Sequence, residues 1–497
     1  MPGFSPGSKK LTFLFFIFLI ILIAQRFFHF GSVIEEPFAW RQFDTEFYAY
    51  DFFTHGINLL RPGVCWMGGF RTLALEFPLI SVIISVLYSI FGDSLFYARL
   101  VIVLFSLGSA YYLNRIVKRL FYARLANITT LIYLMAPMSL YYSRALFIDI
   151  PTLFFAFGMF YYYLIGFEKS SYWAIIIGSG MGTIAFLIKA PYVFFLYIPL
   201  LYFILKEKKI KFLLKALPIL AIPVLAFIIW QVYTVRLNAS APDWSFIPDY
   251  FKFTNMDSWY FGDLPQRLNF ENWKTLFFRF VESCTGYIGI IFFISGLFLK
   301  TDGETRKNIF GFYGLGTIIY LLIFFSLNII HDYYQIPLLV ISSFFIAVSI
   351  DYIYRKLSAK GGNKGTVITA ILLAALIINC IWFTERWYYK PDWTRQHAAE
   401  IIEQNTGQNS LVIASITDTD PRDPRLLGPA HRYGWSIRTG DLSVSLVNSL
   451  KQNGAEYLAI VEKEKINDEL LKYLAAYPSK EYPLQNSSSK LILYSIK

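Results

Sequence analysis

Apolar runs of near-constant length recur along most of the chain, separated by short polar links, and only the last quarter breaks the pattern. A helix needs about 20 apolar residues to cross the hydrocarbon core of a bilayer. Runs of that kind predict spans over 11–30, 97–117, 122–142, 150–167, 172–188, 191–205, 212–234, 284–300, 309–327, 333–353 and 366–384. The first follows Lys9 and Lys10, is long, and lacks a small-residue cleavage site, so it reads as an anchor and not a cleaved leader. Residues 78–91 (PLISVIISVLYSIF) are apolar but short, and fit either a span or a helix lying in the interface.

Charge decides between the two. If 78–91 does not cross, the links carrying Arg115, Lys118, Arg119 and Arg124, then Lys206, Lys208, Lys209 and Lys211, share a side with Lys9 and Lys10. Lys300, Arg306 and Lys307 join them, as do Arg355, Lys356, Lys360 and Lys364. The positive-inside rule makes that side cytoplasmic. The expectation is a polytopic α-helical protein of the plasma (inner) membrane, with eleven crossings, one interfacial helix and a cytoplasmic amino terminus. The outer, periplasmic side then receives 31–96, 235–283 and 386–497, with short links near 143–150, 189–190 and 328–333.

The tail has its own pattern: helix 393–405, strand 409–415, a Pro/Arg-rich loop, helix 441–451, strand 456–461, helix 464–475 and strand 490–496. That alternation predicts a small extracytoplasmic α/β domain over 386–497, beside a membrane domain over 1–385. No internal repeat is visible, which weighs against a transporter.

Composition agrees with the pattern. The chain has 497 residues, 56% hydrophobic and 16% charged, with 49 Phe and 35 Tyr and a mean hydropathy of +0.47. Soluble chains carry about 25% charged residues. A formal charge of +11 would suggest nucleic acid in a soluble protein, but these basic residues sit between apolar runs, so the membrane accounts for them and no nucleic-acid partner is expected. Cys65, Cys284 and Cys380 are too few and too scattered for a disulfide framework or a thiolate metal site.

Candidate chemistry lies in the polar residues that survive beside the spans, all on the predicted outer side. A charge inside a span costs about 2.5–3.5 kcal/mol on insertion scales, so such residues are functional candidates. In a helix over 43–55, Asp44, Tyr48, Asp51 and His55 share one stripe, which suits acid/base work in a cavity and equally suits a solvated face. Glu76 before Phe77-Pro78 fits a helix-start carboxylate, a metal ligand or a substrate contact. Arg144 and Asp149 lie between two apolar runs, where a structural ion pair and a catalytic role are both open. Lys189, before Pro191, is a lone cation for which snorkelling is the plain alternative. His331-Asp332-Tyr333-Tyr334-Gln335 joins two spans. No phosphate-cradling glycine loop and no HExxH are present.

Taken in order, these segments resemble the GT-C class of membrane glycosyltransferases, and within it glycosyltransferase family 39, which includes protein O-mannosyltransferases and aminoarabinose transferases of lipid A. The resemblance rests on Arg41-Gln42-Phe43-Asp44-Thr45, Glu76-Phe77-Pro78, Ala136-Pro137 through Tyr142-Ser143-Arg144 to Asp149, Lys189-Ala190-Pro191, and His331 with Tyr333-Tyr334-Gln335 and Pro337. It covers about residues 11–350, and Arg432-Tyr433-Gly434-Trp435 is similar to a segment of some relatives. Asp149 follows Ile148 where many members have Met-Pro or Met, and no Lys follows Glu76 as in the aminoarabinose transferases. Their sugar and acceptor are therefore not carried over.

Outside the cytoplasm a sugar has to arrive on a lipid, as a polyprenyl-phosphate ester. Its phosphate leaves as an anion, which calls for cations more than for a general acid. Arg144, Lys189, His331 and the Tyr334 hydroxyl are the expected phosphate-binding groups. Asp44 is the expected base for an acceptor hydroxyl, with Asp149 second, and one base opposite a charged leaving group implies inversion. Arg41, Gln42, Tyr48 and Glu76 are the remaining candidate substrate contacts. Glu76 and His331 are also candidate ligands for a divalent metal ion, whose need the residues leave open. The acceptor is expected to be a glycolipid, a glycan or a protein, with the tail domain and the aromatic 235–283 loop (Trp244, Trp259, Tyr260, Trp273) lining its approach. A lipid-linked-sugar flippase and a polysaccharide polymerase are the rival readings.

Overall fold

The computed structural model describes residues 6–31, 33–248, 250, 256–301, 304–461, 466–485 and 488–497. The chain divides into two compact units, one of residues 1–30, 99–230 and 255–389, the other of 31–98, 231–254 and 390–497. The segment 31–98 thus belongs with the tail and not with the helical unit.

The helical unit realises the predicted runs, often in broken form. Among the described residues six helices are long and apolar enough to cross a membrane: Leu95–Leu120, Asp149–Lys169, Tyr172–Lys189, Ile210–Ala239, Leu338–Ser358 and Lys364–Trp387. A seventh candidate is the pair Phe270–Cys284 and Gly289–Phe298, bent by 100° beside Gly286 at φ 62°. The other apolar helices, Lys10–Gln25, Leu79–Phe91, Pro191–Lys206 and Lys307–Ile323, are shorter. The eleven expected crossings are therefore not reproduced helix for helix, and the breaks have local causes. The run 122–142 divides into Ala123–Met135 and Pro137–Tyr142, because a proline has no amide hydrogen and forces the preceding residue out of the helical region; Ala136 has ψ 136°. Pro191 also starts a new helix after Tyr172–Lys189, although Ala190 before it keeps helical angles (φ −49°, ψ −39°). Leu79–Phe91, with 13 residues, rises about 20 Å, short of the ~30 Å core.

Charge inside this unit is paired. Asp351 accepts from Tyr122 Oη (2.5 Å) and Arg124 Nε (2.6 Å) and lies 3.0 Å from Arg355 Nε. Buried Arg26 donates to the carbonyls of Leu22 and Leu134. Close helix packing uses small residues: a Cβ on Gly296 would lie 1.9 Å from the Phe345 carbonyl oxygen.

The second unit is built on a five-stranded sheet, in the order Tyr433–Arg438, Leu411–Ile416, Ala455–Val461, Lys490–Ser495, Ser479–Pro483. The first three strands are mutually parallel, and Lys490–Ser495 runs antiparallel to both of its neighbours. The central strands are nearly all apolar, as strands covered on both faces are. Helices Trp393–Asn405, Val444–Gln452 and Asp468–Leu474 answer the predicted ones, though 464 and 465 lie outside the described residues. Two strands are additions to the expectation. Tyr433–Arg438 falls in what reads as a Pro/Arg-rich loop, and Ser479–Pro483 is a charged, exposed edge strand, whose polarity protects an open edge and hides it in the pattern. The 31–98 segment packs into this core through Phe47, Tyr48, Val64, Trp66 and Met67, and Gly434 N–H donates to the Cys65 carbonyl. Helix Ala39–His55 is buried on nearly every side.

Gly296→Ala is expected to lower the stability of the detergent-solubilised protein by about 1–3 kcal/mol, read as a lower unfolding midpoint. Gly311→Ala, at a position with open space around it, is expected to leave the midpoint unchanged or raise it.

Candidate functional site

Of the candidate residues, Arg41, Gln42, Asp44, Tyr48 and Glu76 belong to the second unit, and Arg144, Asp149, Lys189, His331 and Tyr334 to the helical unit. In the second unit Asp44 sits in the second turn of helix Ala39–His55 and is only 6% exposed. Its Oδ1 accepts from the Trp66 indole at 3.2 Å, and its Oδ2 lies 3.7 Å from Arg41 Nη1. Arg41 also pairs with the buried carboxylate of Glu76. Burial pushes the Asp44 carboxyl up to about 7, against the pull of Arg41 and Trp66, with Glu76 and Asp423 adding repulsion. A carboxylate poised near neutrality and still hydrogen-bonded is equipped to take a proton.

The rest of the predicted stripe has other work. Tyr48, expected to touch substrate, is buried, donates to the Leu73 carbonyl (2.6 Å) and accepts from Leu75 N–H (2.9 Å). It holds the segment leading to Glu76, and its hydroxyl is taken up by backbone. Gln42, expected alongside it, is buried and donates to the Glu35 carbonyl at 2.8 Å. Asp51 accepts from Tyr433 and lies 3.3 Å from His55 Nδ1; a Cβ on Gly63 would lie 2.6 Å from the Asp51 carboxylate, which would have to shift.

In the helical unit Lys189 ends helix Tyr172–Lys189 with a side chain only 10% exposed, so it does not snorkel. Its ammonium donates to Asp149 Oδ1 at 2.6 Å and lies over the rings of Tyr334, Tyr192 and Tyr333 at 4.1, 4.6 and 4.9 Å. Tyr192 donates to the same Asp149 oxygen at 2.5 Å and to the Tyr333 carbonyl at 2.6 Å. Asp149 therefore pairs with Lys189 and not with Arg144. The Lys189 and Tyr192 donors converge on one of its two oxygens. Arg144 donates to the His29 carbonyl at 3.1 Å and lies over the Tyr389 ring at 4.6 Å. His331 stacks on Tyr333, with centroids 5.1 Å apart. Asp332 accepts from Tyr142 (2.5 Å) and Tyr388 (2.9 Å).

Glu76 and His331, the candidate metal ligands, belong to different units. Glu76 already faces a guanidinium, which repels a cation, so its surroundings do not fit a metal. Trp244, expected to stack on sugar, is buried in the tail-domain core. Trp66, Tyr192 and Tyr388 were not legible as neighbours of the candidate groups: each reaches its carboxylate through one indole or hydroxyl, and the partner lies far off in sequence.

Residues 76–233 match the family model for dolichyl-phosphate-mannose-protein mannosyltransferases. Among solved structures the chain is similar to ArnT from Cupriavidus metallidurans bound to undecaprenyl phosphate, with TM-score 0.64 and 12% identity over 96% of this chain and 97% of that one. The apo state of the same protein gives 0.56 at 13% identity, again over 96% and 97%. The archaeal oligosaccharyltransferase AglB from Archaeoglobus fulgidus, in complex with an inhibitory peptide and a dolichol-phosphate, gives 0.56 at 10% identity, over 97% of this chain and 74% of that one. No curated protein sequence matches the chain. Apolar helices and these likenesses together make the chain a multi-pass membrane protein with the fold seen in ArnT and in the archaeal AglB.

Proposed function

We propose that the protein is a membrane glycosyltransferase that moves a sugar from a polyprenyl-phosphate donor to an acceptor hydroxyl at the outer face of the plasma membrane. The observation that carries this reading is Asp44, a buried carboxylate raised to about 7 and oriented by Trp66 and Arg41. The likeness to structures holding undecaprenyl phosphate and dolichol-phosphate supports the donor class.

The Asp44 carboxylate takes the proton of the acceptor hydroxyl as that oxygen attacks the anomeric carbon. The bond from that carbon to the phosphate oxygen breaks, and the polyprenyl phosphate leaves as an anion. A single base acting with a charged leaving group implies direct displacement and inversion at the anomeric carbon. Lys189, Arg144, His331 and the Tyr334 hydroxyl are the groups that stabilise the leaving charge. Asp149 and Tyr192 hold Lys189 in place, so Asp149 is a positioning residue in this scheme. Arg41 pairs with Glu76 and tempers the rise at Asp44.

Asp44 works only when deprotonated, so kcat/KM is expected to fall about tenfold per pH unit below about 7 and to level off above it. A flat profile from pH 5 to 8 removes Asp44 as the base. Asp44→Asn is expected to keep donor binding and lose transfer. Lys189→Ala and Arg144→Ala are expected instead to weaken donor-lipid binding, measured with a radiolabelled polyprenyl-phosphate sugar. Arg41→Gln removes the guanidinium that both Asp44 and Glu76 face and is expected to cost about 3 kcal/mol of stability; adding Glu76→Gln is expected to recover part of it, read from the unfolding midpoints of both variants.

A further inference from the structure

The second unit holds another cluster of ionisable groups that the transfer chemistry does not use. Glu46 is on helix Ala39–His55, two residues beyond Asp44 and so on a different face. Asp93 lies in the link after helix Leu79–Phe91, and His431 just before strand Tyr433–Arg438. Each offers one ligand atom, and these atoms all lie within 4.8 Å of one another. His431 Nε2 is 3.6 Å from Asp93 Oδ2. Its Nδ1 is 3.0 Å from Glu403 Oε1. A carboxylate behind an imidazole fixes the ring and raises the basicity of the far nitrogen, as it does for histidines that bind metals.

Two further observations point to a missing cation. The His431 ring is locked before any ligand arrives: it stacks on Tyr50 with centroids 4.0 Å and planes 7° apart, and its backbone holds φ 49°, a conformation a side-chain-bearing residue keeps only where its surroundings impose it. Glu46 is 4% exposed, yet its one hydrogen bond among the described residues is a contact at the distance limit, 3.5 Å from the Tyr88 hydroxyl. Buried carboxylates ordinarily have firm partners. Three carboxylates, Glu46, Asp93 and Glu403, surround one imidazole, so the charge is unbalanced even when that ring is protonated.

We propose that Glu46, Asp93 and His431 bind one divalent transition-metal ion, with Glu403 orienting the imidazole. One nitrogen and two carboxylates suit zinc or manganese, whereas magnesium and calcium favour all-oxygen sites. The ligands come from three segments far apart in sequence, so the ion ties the 31–98 segment to the tail domain within one unit. Its role is structural, and it stabilises the folded state by mass action.

The test uses the full-length protein in detergent, stripped with EDTA and re-equilibrated separately with Zn²⁺ and Mn²⁺. Metal content after desalting is expected to reach one equivalent per chain with at least one of the two, and the unfolding temperature to rise. Asp93→Asn, at an exposed link where folding is not at stake, and His431→Gln are each expected to weaken binding at least tenfold and to abolish the thermal shift. A wild-type chain that retains neither metal overturns the proposal. So does an Asp93→Asn chain that binds with unchanged affinity.

Discussion

A charge removed from water has to find its counter-charge or its hydrogen bonds inside the protein, and this constraint organises the whole chain. An uncompensated buried ion costs several kcal/mol, so each ionisable group retained beside apolar helices marks a partner brought to it from elsewhere. Lys189 is the clearest instance. Asp149 on one helix, Tyr192 on the next and the Tyr333-Tyr334 pair from a third segment converge on a single ammonium. Asp351 does the same for Tyr122, Arg124 and Arg355. These contacts choose which helices neighbour one another, a choice that apolar faces of similar composition make only weakly.

The same rule separates structural from reactive groups. Asp149 and Asp351 receive short bonds from the cations and tyrosines beside them, which fixes those groups in place. Asp44 receives less: one indole N–H at 3.2 Å and a guanidinium at 3.7 Å that it shares with Glu76. Its compensation falls short of its burial, so its proton is held near neutrality and is available for exchange. Glu46 is less well compensated still, and the groups around it add negative charge. Partial compensation is the common feature of the two places in the second unit where chemistry or a ligand is proposed.

Much of the fold was legible because a bilayer imposes a strong requirement on sequence. A helix that crosses lipid must be apolar for its whole length, so the positions of helices such as Asp149–Lys169, Leu338–Ser358 and Lys364–Trp387 were visible in hydropathy alone. The parallel strands Leu411–Ile416 and Ala455–Val461 were visible for the same reason, being buried on both faces. Edge strands such as Ser479–Pro483 were not, since an edge is protected by the polar residues that make it look like a loop. Helix breaks were partly visible: Pro191 was read as a helix start, whereas the division at Ala136-Pro137 was not.

The sequence by itself determined that the chain lives in lipid, that its tail is a small α/β domain, and which polar residues are candidates for chemistry, because hydropathy and residue type are local properties. It could not determine partners. Arg144 lies five residues from Asp149, but the tertiary structure gives Asp149 to Lys189; Tyr48 looks like part of an open stripe, but folding turns its hydroxyl onto backbone. Pairing depends on distances in space between groups that are up to hundreds of residues apart in the chain, as with Asp51 and Tyr433, and only the packed structure sets those distances.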